Sequence, residues 1–165
     1  METALRYATA DDVPMLRLLA EKIWWPTYAE ILSKEQIRFM LDKIYDEDKL
    51  RLQIENEEQT FLILSENNVS IGFTAFSADQ ENPQLMTLEK IYCLPEMQGK
   101  GYGKLLINTV ETKAREAGKS ILQLYVHRQN KARNFYEKLN FKVVKEVDRP
   151  LGKFLLTDFV MEKKV

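Results

Sequence analysis

Apolar positions recur along this chain with two different periods, and the places where the period changes mark its elements. Leu5 to Ala8 alternates as a short strand, and Thr9-x-x-Asp12 followed by Pro14 starts a helix that runs into MLRLLAEKI. Between Trp24 and Glu58, residues Ile31, Ile37, Met40, Leu41 and Ile44 fall at helical spacing. They predict further short helices, one capped by Ser33 with Gln36 three residues on and another starting near Asp46. At Thr60 the period drops to two, so that TFLILSE, a turn at Asn67-Asn68 and VSIGFTAFSAD read as a hairpin. Met86 to Leu94 is a further strand ended by Pro95, and Gly99 to Ala117 is a long amphipathic helix closed by Gly118. Ser120 to Val126 predicts a strand and Lys131 to Leu139 a helix. Phe141 to Asp148 and Phe154 to Glu162 form a closing strand pair around Pro150 and Gly152. The order is mixed α/β, with antiparallel hairpins flanking one strand, helix, strand, helix unit.

Composition narrows what such a chain does. A length of 165 residues with 45% hydrophobic residues suits one domain, taken as 1–165. Lys and Arg total 24 against 25 Asp and Glu, a net charge of -1 that leaves no electrostatic footprint for nucleic acid and no polybasic membrane patch. The N-terminal residues lack a basic, then apolar, leader, and no window reaches the ~18 apolar residues of a membrane span. A soluble, cytoplasmic protein is expected. The single Cys93 makes no internal disulfide, and together with the single His127 it is poor material for zinc, so no metal is expected.

The richest chemistry lies in YCLPEMQGKGYGKLLI, where glycines stand between a strand and a helix, a setting that cradles phosphate on backbone N–H groups. Spacing decides which phosphate. A P-loop needs glycine five residues before Gly103, where Gln98 stands, and Ser or Thr after Lys104, where Leu105 stands. A dinucleotide fingerprint needs glycine at the third position after Gly101, which is Lys104. What does fit is Gln98-Gly99-Lys100-Gly101-Tyr102-Gly103, read as Gln/Arg-x-x-Gly-x-Gly/Ala. One strand later comes NKARNFYEKLNF, in which Ala132, Phe135, Tyr136 and Leu139 share a helix face.

On these two motifs, in this order, the chain resembles the GNAT superfamily of acetyl-CoA-dependent acetyltransferases. Asn140 replaces the glycine usual after the second motif, and asparagine tolerates the left-handed conformation needed there. With the terminal TDFVMEK, the motifs are most similar to the PaiA-type polyamine (spermidine/spermine) acetyltransferases.

The resemblance implies a central, mostly antiparallel, twisted sheet, splayed between its fourth and fifth strands and flanked by helices. It implies acetyl-CoA as cosubstrate, with the backbone N–H groups of Gln98, Gly99, Lys100, Gly101, Tyr102, Gly103 and Lys104 on its pyrophosphate. The pantetheine arm would pair with the backbone of Ile91 and Cys93, where a bulge opens the splay. Asn130 and Arg133 are matched candidates for the cofactor's linker and phosphates. Tyr136 is implied as the acid that returns a proton to the departing thiolate. For the base, Glu89 is the candidate, on strand parity shared with Thr87, Ile91 and Cys93; a solvated strand edge is the competing explanation.

Trp24, Trp25 and Tyr28 would floor an aromatic amine pocket by cation-π contact, with core or interface packing as the alternative. The acidic runs Asp46 to Asp48 and Glu55 to Glu58 would suit a polycation, and helix caps explain them equally. The expected partner is a small-molecule primary amine, and superfamily habit implies a homodimer. Acetylation of a protein or peptide, and a non-catalytic CoA-binding sensor, are the competing functions.

Overall fold

Turn chemistry sets the strand pairing. In the structure, a computed structural model that describes residues 2–165, β2 (Thr60–Glu66) and β3 (Val69–Ala78) form an antiparallel hairpin. Its two-residue turn is Asn67 (φ +51) and Asn68 (φ +66), both left-handed as such a hairpin demands. β1 (Thr3–Tyr7) pairs antiparallel with β2 from Thr3↔Glu66 to Tyr7↔Leu62. After β4 (Leu85–Cys93), the helix α4 (Tyr102–Glu116) is the crossover that returns the chain to β5 (Ile121–His127), parallel to β4. β6 (Lys142–Leu151) and β7 (Phe154–Lys164) close the fold as a hairpin, and β7 also lies antiparallel to β5. The seven strands run in the order β1-β2-β3-β4-β5-β7-β6.

The chain divides into two compact units. One comprises the chain as far as Ser77 together with Lys90–Leu106; the other comprises Ala78–Glu89 with Ile107–Val165. In the first, α1 (Val13–Tyr28) packs on α2 (Lys34–Ile44) and α3 (Glu47–Glu55), and α3 on β2. Leu16, Ile23, Ile37, Leu41, Leu50, Ile63 and Phe73 are fully buried there, each contributing about 1.5–3 kcal/mol by leaving water.

The caps expected at α2 and α3 form: Ser33 Oγ accepts from Gln36 N–H at 3.1 Å and Asp46 from Lys49 N–H at 3.0 Å. Arg17 ties α1 to the end of α2, donating to the carbonyl of Leu41 (3.2 Å), which also accepts from Tyr45 N–H, and to the carbonyl of Tyr45 (3.0 Å). The same guanidinium meets Glu21 and Asp42, and Arg38 meets both carboxylates from α2.

In the second unit Leu122, Leu124, Val160, Met161, Val110 and Ala114 are buried, and Glu111 of α4 pairs with Lys163 of β7 at 2.8 Å. Among the described residues no helix is long and apolar enough to cross a membrane.

Three boundaries differ from those expected from the sequence. α4 begins at Tyr102 rather than Gly99, because Gly99 (φ +81) and Gly101 (φ +86) are left-handed and cannot be helical. β6 continues through Pro150, as an edge strand allows, because a proline there costs no ladder hydrogen bond. α1 runs on to Tyr28, so Trp24 and Tyr28 belong to one helix with MLRLLAEKI.

Candidate active site

The side-chain pattern of β4 slips by one residue midway. Met86 and Leu88 face Leu122 and Leu124 of β5, which in turn oppose Lys163 and Met161 of β7. Directly paired residues share a sheet face, and Lys163 reaches Glu111 of α4, so Met86 and Leu88 lie on the α4 side. Strict alternation would put Lys90 and Tyr92 there too. Instead Ile91 and Cys93 pack with Tyr102 and Leu106 of α4, and with Leu64 and Ile71. The step from Leu88 to Ile91 therefore contains one extra residue, the signature of a bulge at Glu89 and Lys90.

That slip corrects one expectation. Glu89 shares its face with Thr87 but not with Ile91 and Cys93; it starts, exposed, on the side away from α4, which also carries Lys90 and Tyr92.

Beyond the slip, the backbone of β4 is used on one edge. Thr74 Oγ1 donates to Lys90 O at 2.7 Å and Leu94 N–H to Ile71 O at 2.9 Å, so the even-numbered residues turn their polar groups toward β3. Backbone groups alternate along a strand, so those of Ile91 and Cys93 point to the opposite edge. The register with β5 stops at Leu88↔Leu124, and among the described residues neither Ile91 nor Cys93 finds a backbone partner on that edge. A close approach to β3 fixes this segment: a Cβ on Gly72 would stand 2.7 Å from Tyr92 O and 3.0 Å from Cys93 Sγ. Burial pushes the Cys93 thiol up to about 11, so it is a packed neutral side chain and its backbone is the functional part.

The glycine loop follows directly. Pro95–Met97 make a turn of 3-10 helix, and Gln98 N–H already donates to Pro95 O at 3.2 Å. From Gly99 to Lys104, by contrast, no N–H has a backbone partner among the described residues; Leu105 N–H, bonded to Gly101 O at 3.1 Å, is the first to be satisfied. The unpaired run thus starts one residue later than Gln98. Gly99 and Gly101 have open space where a Cβ would stand, so glycine serves conformation here and not fit. These N–H groups, at the N-terminus of a 15-residue helix, are suited to an anion such as a pyrophosphate. The Tyr102 hydroxyl hydrogen-bonds the Glu66 carboxylate, which raises its pKa; only its backbone serves the loop.

On the other face of β4 stands an aromatic layer. Trp24 and Tyr28 lie with ring centroids 4.6 Å apart, and Tyr92 comes within 5.9 Å of Trp24 and 5.8 Å of Phe73. The hydroxyls of Tyr28 and Tyr92 share a hydrogen bond of 2.9 Å. Trp24 is buried and donates to the Tyr45 hydroxyl at 3.3 Å, while Lys90, also buried, donates to Gln59 Oε1 at 2.7 Å with its ammonium over the Phe61 and Tyr45 rings. Sequence reading missed Tyr92 and Lys90. Their signal was the adjacent polar pair Glu89-Lys90, which breaks the alternation of LEKIYCL.

The second unit carries Asn130, Arg133 and Tyr136. Asn130 Oδ1 accepts from Ala132 N–H at 2.9 Å and so begins α5 (Ala132–Lys138). Arg133 bonds Glu137 at 3.0 Å and lies 4.5 Å above the Phe159 ring. Tyr136 is buried between Phe135 and Phe141, at 5.5 and 5.9 Å, and its carbonyl accepts from both Leu139 and Phe141 N–H. That tight helix end needs the left-handed Asn140, φ +73.

Comparison with known proteins agrees with this geometry. Residues 28–163 match the family described as the acetyltransferase (GNAT) domain. The chain is 31% identical to the spermidine N(1)-acetyltransferase of Thermoplasma acidophilum over 169 residues, 99% of this chain and 98% of that protein. It is 38% identical to the ribosomal protein bS18 alanine N-acetyltransferase of Haemophilus influenzae over 90 residues, 54% of this chain and 60% of that one. Among solved structures, the PaiA N-acetyltransferase of Thermoplasma acidophilum in complex with coenzyme A superposes with a TM-score of 0.85 at 30% identity, over 100% of both chains. The chain belongs to the GNAT family of acetyltransferases.

Proposed function

We propose that this enzyme transfers acetyl from acetyl-CoA to a primary amine of a small molecule, a polyamine such as spermidine, by direct attack of the amine on the thioester. One observation carries the reading: an unpaired strand edge at Ile91 and Cys93 leads within one turn into the unpaired N–H groups of Gly99 to Lys104. An extended, amide-bearing arm ending in a pyrophosphate is the ligand whose groups match that sequence of donors and acceptors. The polyamine branch is supported by the full-length similarity to the spermidine-acetylating relative.

In this reading the N–H groups of Gly99 to Lys104 hold the pyrophosphate without a metal, and Asn130 and Arg133 add contacts to the cofactor. Ile91 and Cys93 hold the pantetheine amides, and a freed N–H at the slip in β4 polarises the thioester carbonyl as negative charge develops. The gain comes chiefly from holding amine and thioester in register. An alkylamine with a pKa of about 10.4 arrives as ammonium, and Glu89, through water, takes its proton. The new C–N bond forms as the C–S bond breaks, and the Tyr136 hydroxyl gives its proton to the departing thiolate. Trp24 and Tyr28 face the amine.

A second reading, acetylation of a peptide N-terminus, is favoured by the similarity to the bS18 alanine enzyme. Incubation with acetyl-CoA and either spermidine or an alanine-terminated peptide, followed by mass spectrometry, separates the two. Monoacetylated spermidine is the expected product; an acetylated peptide beside unmodified spermidine would overturn the small-amine reading.

A further inference from the structure

We propose that Glu66 is a positioning residue for the phosphate cradle: through its hydrogen bond with the Tyr102 hydroxyl it fixes where the N–H groups of Gly99 to Lys104 stand. The inference rests on the cofactor-binding part of the reading above and adds what holds the cradle in shape. The loop itself offers little rigidity. Gly99 and Gly101 have nothing within 4 Å of the place a Cβ would take, and none of the N–H groups from Gly99 to Lys104 has a backbone partner among the described residues. Glycine loses more conformational freedom on being ordered than any other residue, so a loop of this kind, if unheld, binds an anion only by ordering itself first. Its fastening lies at its ends. Met97 before it and Tyr102 after it both join the apolar cluster of Leu64, Ile71 and Leu106.

Apolar packing alone leaves a flat ring free to slide along its own axis, whereas a hydrogen bond at its tip sets the depth. Tyr102, the first residue of α4, is buried, and its hydroxyl donates to the Glu66 carboxylate. Both residues lie in the first compact unit. Glu66, itself buried, is the last residue of β2, paired with Thr3 of β1 and Val69 of β3 just before the Asn67-Asn68 turn. The acceptor thus stands on the sheet and not on a loop, which gives it a fixed origin. A carboxylate is costly there: burial strips its solvation, and its charge opposes any anion nearby. What it supplies is a charge-assisted bond, about twice as strong as a neutral one. The length of the tyrosine side chain separates that charge from the backbone N–H groups, so Tyr102 ends on Glu66 while its backbone meets the ligand.

The test titrates coenzyme A, and pantetheine, which has the amide arm without the pyrophosphate, into wild type, Glu66→Leu, Glu66→Gln and Tyr102→Phe, with NMR reading affinity and amide exchange. Glu66→Leu and Tyr102→Phe are expected to weaken coenzyme A about tenfold while pantetheine stays within about twofold. Glu66→Gln keeps an acceptor and should stay within about threefold of wild type. Because the two side chains act as one, Glu66→Leu combined with Tyr102→Phe should lose little more than either alone. In the free protein, the Leu105 amide, bonded to Gly101 O at 3.1 Å, should exchange about fivefold faster or more in both disruptive variants, with the buried Val110 and Ala114 further along α4 unchanged. Equal weakening of both ligands would reduce the bond to a general support of the fold, and unchanged coenzyme A affinity in both variants would refute the positioning role outright. If wild type binds no coenzyme A but Leu105 exchange responds in this way, the anchor stands and the cofactor reading falls; if exchange is unchanged as well, both fall.

Discussion

Replacing Gly72 by alanine tests whether the segment Tyr92–Cys93 is held in place by its contact with β3. The glycine is not there for a special backbone conformation; its φ is not among the left-handed values. It is there for space. A Cβ would stand 2.7 Å from Tyr92 O and 3.3 Å from Cys93 Cα, both backbone atoms that cannot rotate away. Restoring an ordinary contact of at least 3.4 Å moves β4 from β3 by ~0.7 Å at Tyr92. Overpacking of this kind costs about 1–3 kcal/mol, offset by roughly 0.8 kcal/mol for the methyl group buried. The net loss of roughly 0.2–2.2 kcal/mol lowers Tm by up to about 9 °C in a chain of this length.

Function should suffer more than stability. Displacing the amide edge that aligns the thioester by most of an ångström is expected to lower kcat/KM for acetyl-CoA on the order of tenfold or more. Differential scanning calorimetry and steady-state kinetics on the same preparation read both effects. An alanine variant with unchanged Tm and unchanged acetyl-CoA kinetics would refute the close approach and, with it, the role given to this stretch of β4.

Tyr136→Phe should lower kcat about 10²-fold with acetyl-CoA affinity retained in a binding titration, and unchanged turnover would remove the acid assignment. Gly101→Glu has room for its side chain but faces a left-handed φ of +86 and sets a carboxylate beside the anion site; acetyl-CoA binding should be lost in calorimetry, and retained binding would contradict the cradle. The hydrogen bond from Arg38 holds the Glu21 carboxyl below its usual pKa, and the one from Arg17 does the same for Asp42. Depressed carboxylates stabilise the fold above their unfolded values, about 4.3 and 3.9, and that share is lost as pH falls through the lower folded values. Arg38→Gln should therefore melt below wild type at neutral pH, with the gap closing on acidification below about pH 4; both sites are partly exposed and the effect is modest.

Much of this architecture was legible because local chemistry and fold agree. Ser33, Asp46, the Asn67-Asn68 turn and Asn140 each announce a local conformation that no tertiary contact overrides. The glycine loop is legible for the same reason, whereas its helix start is set by the left-handed φ of Gly99 and Gly101, which the sequence does not fix.

What the sequence concealed depends on distant neighbours. The slip in β4 is marked in LEKIYCL only by the adjacent polar pair Glu89-Lys90, and which partners lie on each face depends on distant segments. Tyr92 meets Tyr28 across 64 residues of chain, and the spatial need for Gly72 comes from Tyr92 and Cys93 of the next strand. Lys90, charged and buried, reads from sequence as a solvated edge residue.

The most direct test of the central claim is an NMR titration of the backbone amides with coenzyme A. The account predicts that the amides of Ile91, Cys93 and Gly99 to Lys104 shift together and saturably, while those of Lys90 and Tyr92, turned toward β3, move far less. Saturable binding that leaves the amides of Ile91, Cys93 and the glycine loop unmoved would contradict it.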